Sequence, residues 1–188
     1  MELQELVLVT GFSYYGVYPY NPSGDLAEKL DGTVVEGFKV IGRVLPVSFR
    51  RALGILDELL KEYRPAVAVG LGLHPRATAV LLELAGVNLA HFERPDVNGF
   101  RARLEAIDDG GPQVLYTGLP VDRVHSACNE GLQLRIRPSV TIGTYLCNAV
   151  GYKIMRYGSL SGAVAGFLHV PPTTDMALKL GLNNYVAA

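Results

Sequence analysis

The sequence predicts an α/β fold, a twisted and largely parallel central sheet with helices on both faces, in a single domain over residues 1–188. Two patterns carry that prediction. Short apolar runs, "LVLVT" (6–10), "AVAVGLG" (66–72), "VLYTGLP" (114–120) and "GAVAGFLHVPP" (162–172), read as buried strands. Amphipathic segments alternate with them, and strand-helix alternation builds parallel sheets. The length of 188 residues suits one domain with a substantial core.

Each element has its own justification. The first strand ends in Gly11, and "PSGDLAEKL" (22–30) follows as a helix. The segment from Thr33 to Val47 alternates imperfectly and reads as one or two strands. From Ser48 to Tyr63 the pattern is helical, with Leu53, Leu56, Leu59 and Leu60 on one face, Arg51, Asp57 and Lys61 opposite, and Ser48 as N-cap. "ATAVLLEL" (77–84), "VDRVHSACNEGLQ" (121–133) and "GTYLCNAVGYKIMRYG" (143–158) are read as further helices. Residues Arg94 to Gln113 are polar, with a Gly-Gly-Pro break, and are expected to form a long surface excursion. Sites in open α/β sheets gather at the carboxyl ends of strands, so attention falls on the loops after Thr10, Gly72 and Val170.

Composition excludes several classes of partner. With 17 basic and 18 acidic residues, the chain has no electrostatic footprint for nucleic acid or an anionic membrane. The expected partner is a small molecule or another copy of the chain. No apolar run is long enough to span a bilayer, and "MELQELVLVTGF" carries acids where a secretory signal carries bases, so a soluble, cytoplasmic protein is expected. Two cysteines, Cys128 and Cys147, and four histidines form neither CxxC nor HExxH; no metal site and no disulfide are expected.

Three residues stand out as chemistry. Cys147 lies about one turn into a helix starting near Gly143 or Thr144, where unpaired N–H groups and the positive end of the dipole favour thiolate. Cys128, mid-helix, reads as packing. His169 ends a strand just before Pro171 and Pro172, poised to move a proton at neutral pH or else satisfied inside the core. Glu83 is the one charge in an apolar stretch from Ala77 to Val87, either a paired buried acid or the exposed face of a short helix. His74, His91 and His125 are expected to be mostly solvated.

Five segments together resemble the pyroglutamyl peptidase (pyrrolidone carboxyl peptidase) family of cysteine peptidases. They are "VTGF" with "NPS" at Asn21 to Ser23, "GRVLPV" (42–47), "ELAGVN" (83–88), "GTYLCN" (143–148) and "GFLHVP" (166–171), in the family's order across nearly the whole chain. The resemblance implies hydrolysis of the bond after an N-terminal pyroglutamyl residue. Cys147 would be nucleophile, His169 base and acid, and Glu83 the group orienting His169. It further implies a lactam pocket formed by Phe12, Tyr15, Tyr145 and Leu146, with Asn21 holding the loop or touching substrate. Helix N-terminal N–H groups and Arg94 would hold the oxyanion, no cofactor is needed, and a homotetramer acting on pyroglutamylated peptides is implied.

The chain departs from the family pattern around the substrate. "GFSYYG" has Tyr14 and Tyr15 in place of a proline and a phenylalanine, and "ERPDVN" sets Arg94 one place late and Val97 for an asparagine. Ile142 stands where alanine is usual, and the chain runs only 19 residues past His169, so the family's closing helix is expected to be absent or truncated. Two rivals are therefore carried beside the leading reading. One is an amidase of the same chemistry for another small acyl or cyclic group, and the other a non-catalytic protein that keeps the pocket for a small ligand.

Overall fold

The computed structural model describes residues 5–14, 16, 18–132 and 134–181. Its elements in order are β1 (Leu6–Phe12), α1 (Pro22–Leu30), β2 (Val34–Val35), β3 (Phe38–Leu45), α2 (Phe49–Tyr63), β4 (Val67–Leu73), β5 (Val80–Glu83), β6 (Ala85–Val87), β7 (Val114–Tyr116), α3 (Val121–Ser126), β8 (Ile136–Ser139), α4 (Leu146–Ser161), β9 (Val164–Val170) and α5 (Thr174–Lys179). The main sheet runs β2-β3-β1-β4-β9-β5-β8. Its centre, β3-β1-β4-β9, is parallel, and β5 enters antiparallel to β9 while pairing parallel with β8.

Two apolar layers cover the sheet. On one side Val9, Val40 and Leu71 pack with Ala27 of α1. On the other, Leu8, Phe12, Ile41, Leu45 and Phe167 meet Leu56 and Leu60 of α2 and Val150 and Ile154 of α4. The first layer is unusually close because three positions lack a side chain. A Cβ on Gly11 would stand 1.9 Å from the Ser23 carbonyl oxygen, one on Gly42 1.9 Å from that of Ala27, and one on Gly24 2.5 Å from that of Phe12. Helix α1 therefore sits backbone to backbone on β1 and β3, and the Phe12 N–H donates to Ser23 Oγ at 3.1 Å. This fixes the carboxyl end of β1, where the pocket begins.

Several elements differ from the sequence-based expectation. "ATAVLLEL" contains β5 rather than a helix: the apolar run is too short to show a helical period, and pairing between β9 and β8 decides it. β7 lies outside the main sheet, joined to β6 in a two-stranded ribbon, with Tyr116 77% exposed. Residues 121–131 form α3 and then a π-helical turn, neither of which buries a residue. Ser48 holds the N-cap position of α2 without a side-chain bond; Asp96 caps from a distance, its Oδ2 accepting the Phe49 N–H at 2.8 Å. The other Asp96 oxygen takes the N–H groups of Asn98 and Phe100, and Phe100 stacks on Phe49 at 5.4 Å. The excursion after Arg94 is thus pinned to α2 and is not wholly surface chain. Among the described residues no helix is long and apolar enough to cross a membrane.

Candidate active site

Glycine at 143 and the short turn after it end the chain's run from β8, and α4 begins at Leu146 behind the N-cap Tyr145. Cys147 is therefore the second helical residue, closer to the free N–H groups than the expected full turn. Asn148 locks this end in place. Its Nδ2 donates to the carbonyls of Val87 and Leu89 at 2.8 and 3.0 Å, and its Oδ1 accepts the Val87 N–H at 2.9 Å. A fully buried asparagine with all these bonds satisfied is a rigid clamp between α4 and β6.

Two strands supply the other groups. In the antiparallel β5/β9 pair, Leu81 faces His169 and Glu83 faces Phe167, so Glu83 and His169 are diagonal neighbours on one face of the sheet. Long side chains span that diagonal, and His169 Nδ1 lies 2.7 Å from Glu83 Oε1 with both residues buried. Burial alone would depress the His169 pKa, but hydrogen bonding to Cys147 and Glu83 and the charges of both outweigh it and raise the value to about 9. At neutral pH the ring is an imidazolium held between a sulfur and a carboxylate. Glu83 Oε2 is buried with no hydrogen-bond partner among the described residues.

Cys147 and His169 border a cavity of about 190 Å³ lined also by Phe12, Asn21, Val47, Ile142, Tyr145 and Leu146. Its walls are chiefly aromatic and aliphatic with a few polar groups, Cys147 and His169 among them, the form of a site for a compact neutral group next to a reactive one. The family model for pyroglutamyl peptidase matches residues 5–181. The chain belongs to the pyroglutamyl peptidase family.

Relatives of the family extend the match over nearly the whole chain. It is 36% identical to the pyrrolidone-carboxylate peptidase of Pyrococcus furiosus over 93% of this chain and 85% of that one. Against that of Thermococcus litoralis the identity is 34%, over 92% and 79%. Solved structures agree: a mutant (E192V) pyrrolidone carboxyl peptidase from P. furiosus superposes with a TM-score of 0.90 at 32% identity, covering 96% of this chain and 88% of that one. The T. litoralis enzyme gives 0.87 at 33%, covering 92% and 79%.

Within this family frame the candidate residues divide. Cys147, His169, Phe12, Asn21, Tyr145 and Leu146 line the cavity, and Glu83 stands behind His169. The Asn21 amide is committed to the chain: Nδ2 donates to the Ser13 carbonyl, and Oδ1 accepts from the N–H and hydroxyl of Ser23, which caps α1 and shapes the loop. Tyr15 lies outside the described residues. Arg94 brings Nη2 to 2.7 Å from where a Cβ on Gly16 would stand, so its guanidinium lies against the loop between β1 and α1. It is not among the described residues that line the cavity.

Two residues escaped the sequence reading. His74, expected to be solvated, is half-buried with its ring 5.4 Å from that of His169. Gly72 leaves the space that Cys147 fills, since a Cβ there would meet Sγ at 2.9 Å, Phe167 Cζ at 2.9 Å and His169 Cδ2 at 3.2 Å. The one sequence signal was a pair of glycines in a buried strand, which marks close approach without saying of what. Gly72→Val is expected to displace the sulfur and lower kcat by about 10²-fold or more. The same change costs about 1–3 kcal/mol of stability by overpacking; steady-state kinetics beside a denaturant titration checks both.

Proposed function

We propose that the chain is a cysteine exopeptidase that removes an N-terminal pyroglutamyl residue, with Cys147 as nucleophile, His169 as acid and base, and Glu83 orienting His169. The observation that carries the reading is the grouping of buried Glu83, raised-pKa His169 and helix-start Cys147 beside a largely apolar cavity.

The chemistry follows from the placement. The Cys147 thiolate attacks the pyroglutamyl carbonyl carbon, and negative charge moves to its oxygen. N–H groups at the start of α4, which have no partner within the helix, receive that oxyanion. Arg94 is the further candidate for the same task across the loop. When the intermediate collapses, the C–N bond breaks, the amine departs with the proton of His169, and a thioester remains. Neutral His169 then takes a proton from water as the water attacks, and Cys147 leaves as thiolate with free pyroglutamate. Glu83 holds Nδ1, so the other ring nitrogen is the one that exchanges the proton.

Selection of the substrate rests on desolvation. A pyroglutamyl ring is flat, compact and uncharged at its nitrogen, whereas an ordinary N-terminus would bring an ammonium into walls made by Phe12, Ile142, Tyr145 and Leu146. The reading extends to a cytoplasmic homo-oligomer, a tetramer by family resemblance, with no cofactor. Exposed Leu132, Leu134 and Val140 beside the edge strand β8 offer apolar surface for such contact.

The test is release of a fluorescent amine from its L-pyroglutamyl amide. Cleavage is expected, with the uncyclised L-glutaminyl amide slower by at least about 10²-fold. No cleavage of either amide, together with rapid alkylation of Cys147, would transfer the same nucleophile to a different acyl group. No cleavage and two inert thiols would favour a binding protein.

A further inference from the structure

We propose that His74 is a substrate-contacting residue that donates an imidazole N–H to the carbonyl oxygen of the residue following pyroglutamate. This rests on the reading of Cys147 and His169 as the reacting pair.

The position of His74 is fixed on both sides. Its backbone N–H donates to the carbonyl of Val170 at 2.9 Å, which ties the end of β4 to the residue after His169. Its Nδ1 accepts the N–H of Arg76 at 3.3 Å, so in a neutral ring the proton sits on Nε2. Burial first, and then the charge of His169, lower its pKa, so the ring is neutral at pH 7. Among the described residues Nε2 has no hydrogen-bond partner. The ring borders the same cavity as Cys147 and packs edge-on against His169, the planes at 76°. A half-buried ring whose N–H has no acceptor among the described residues therefore lines a substrate-sized space.

The side of the substrate it meets follows from the reaction. His169 must reach the leaving nitrogen, which marks the leaving-group end of the cavity. The carbonyl oxygen of the leaving residue lies about 3 Å from that nitrogen, three bonds away through N–Cα, Cα–C and C=O. His74, one ring-width from His169, is the donor placed for it. A peptide substrate offers this oxygen, and an arylamide such as the p-nitroanilide does not.

The experiment compares pyroglutamyl-alanyl-alanine amide with pyroglutamyl p-nitroanilide in wild type, His74→Ala and His74→Gln. Loss of one neutral hydrogen bond corresponds to roughly a fivefold to tenfold change. His74→Ala is expected to lose about that much in kcat/KM on the peptide, through KM, while the anilide stays within about twofold. His74→Gln, which keeps a side-chain N–H, is expected to restore most of the loss. Equal losses on both substrates, or a larger loss on the anilide, would overturn the proposal, as would no loss on either. Wild type that cleaves neither substrate would overturn the underlying reading and the proposal with it, an outcome distinct from all the others.

Discussion

Cys147→Ser is expected to abolish measurable turnover of a pyroglutamyl amide, a loss on the order of 10⁴-fold or more in kcat. Serine fits wherever cysteine does, so the clamp made by Asn148 and the space above Gly72 survive the change. What disappears is an easily ionised nucleophile. A serine hydroxyl keeps its proton at any working pH and is a weak nucleophile while it does. Circular dichroism and the melting temperature should match wild type while the progress curve stays flat. Activity comparable with wild type would remove Cys147 from the reaction.

Glu83→Gln should show the second largest effect, about 10²–10⁴-fold in kcat. The amide preserves volume but no longer supplies the charge that helps hold the His169 proton. Burial then pulls the imidazole pKa downward unopposed on that side. In wild type the imidazolium needed to protonate the leaving amine is lost as pH rises through about 9, so the alkaline limb of kcat/KM falls there. In the variant that limb moves to lower pH. Stability carries the same sign. A folded pKa raised from the ordinary 6.5 to about 9 gives stabilisation that is complete below 6.5 and lost between 6.5 and 9. Urea titrations at pH 6 and pH 9.5 should therefore differ more for wild type than for Glu83→Gln. An unmoved alkaline limb would sink the assignment of Glu83.

Much of this site was legible before the fold was known, and the reasons are local. His169 sits between an apolar strand and two prolines, a punctuation that places it at a sheet's carboxyl end. Cys147 follows a glycine at a helix start, and only the starting residue shifted, to Leu146. Glu83 was singled out correctly as a lone acid but assigned to the wrong element, since a run of eight mostly apolar residues shows no period until a partner strand pairs with it. Strand β7 was misplaced for the converse reason: Val114 and Tyr116 look like core and are exposed. His74, Gly72 and the capping by Asp96 depend on residues far away in sequence, and no local pattern encodes them.

The antiparallel entry of β5 has one more implication. Glu83 reaches His169 only because Leu81, and not a neighbour, faces His169. A slip of one residue along β9 would turn Glu83 to the opposite surface of the sheet while keeping most backbone hydrogen bonds. Turnover thus works as a gauge of strand alignment: misfolded chains with near-native secondary structure would be silent in an activity assay, and recovery of activity after refolding would count only molecules whose strands have closed in phase.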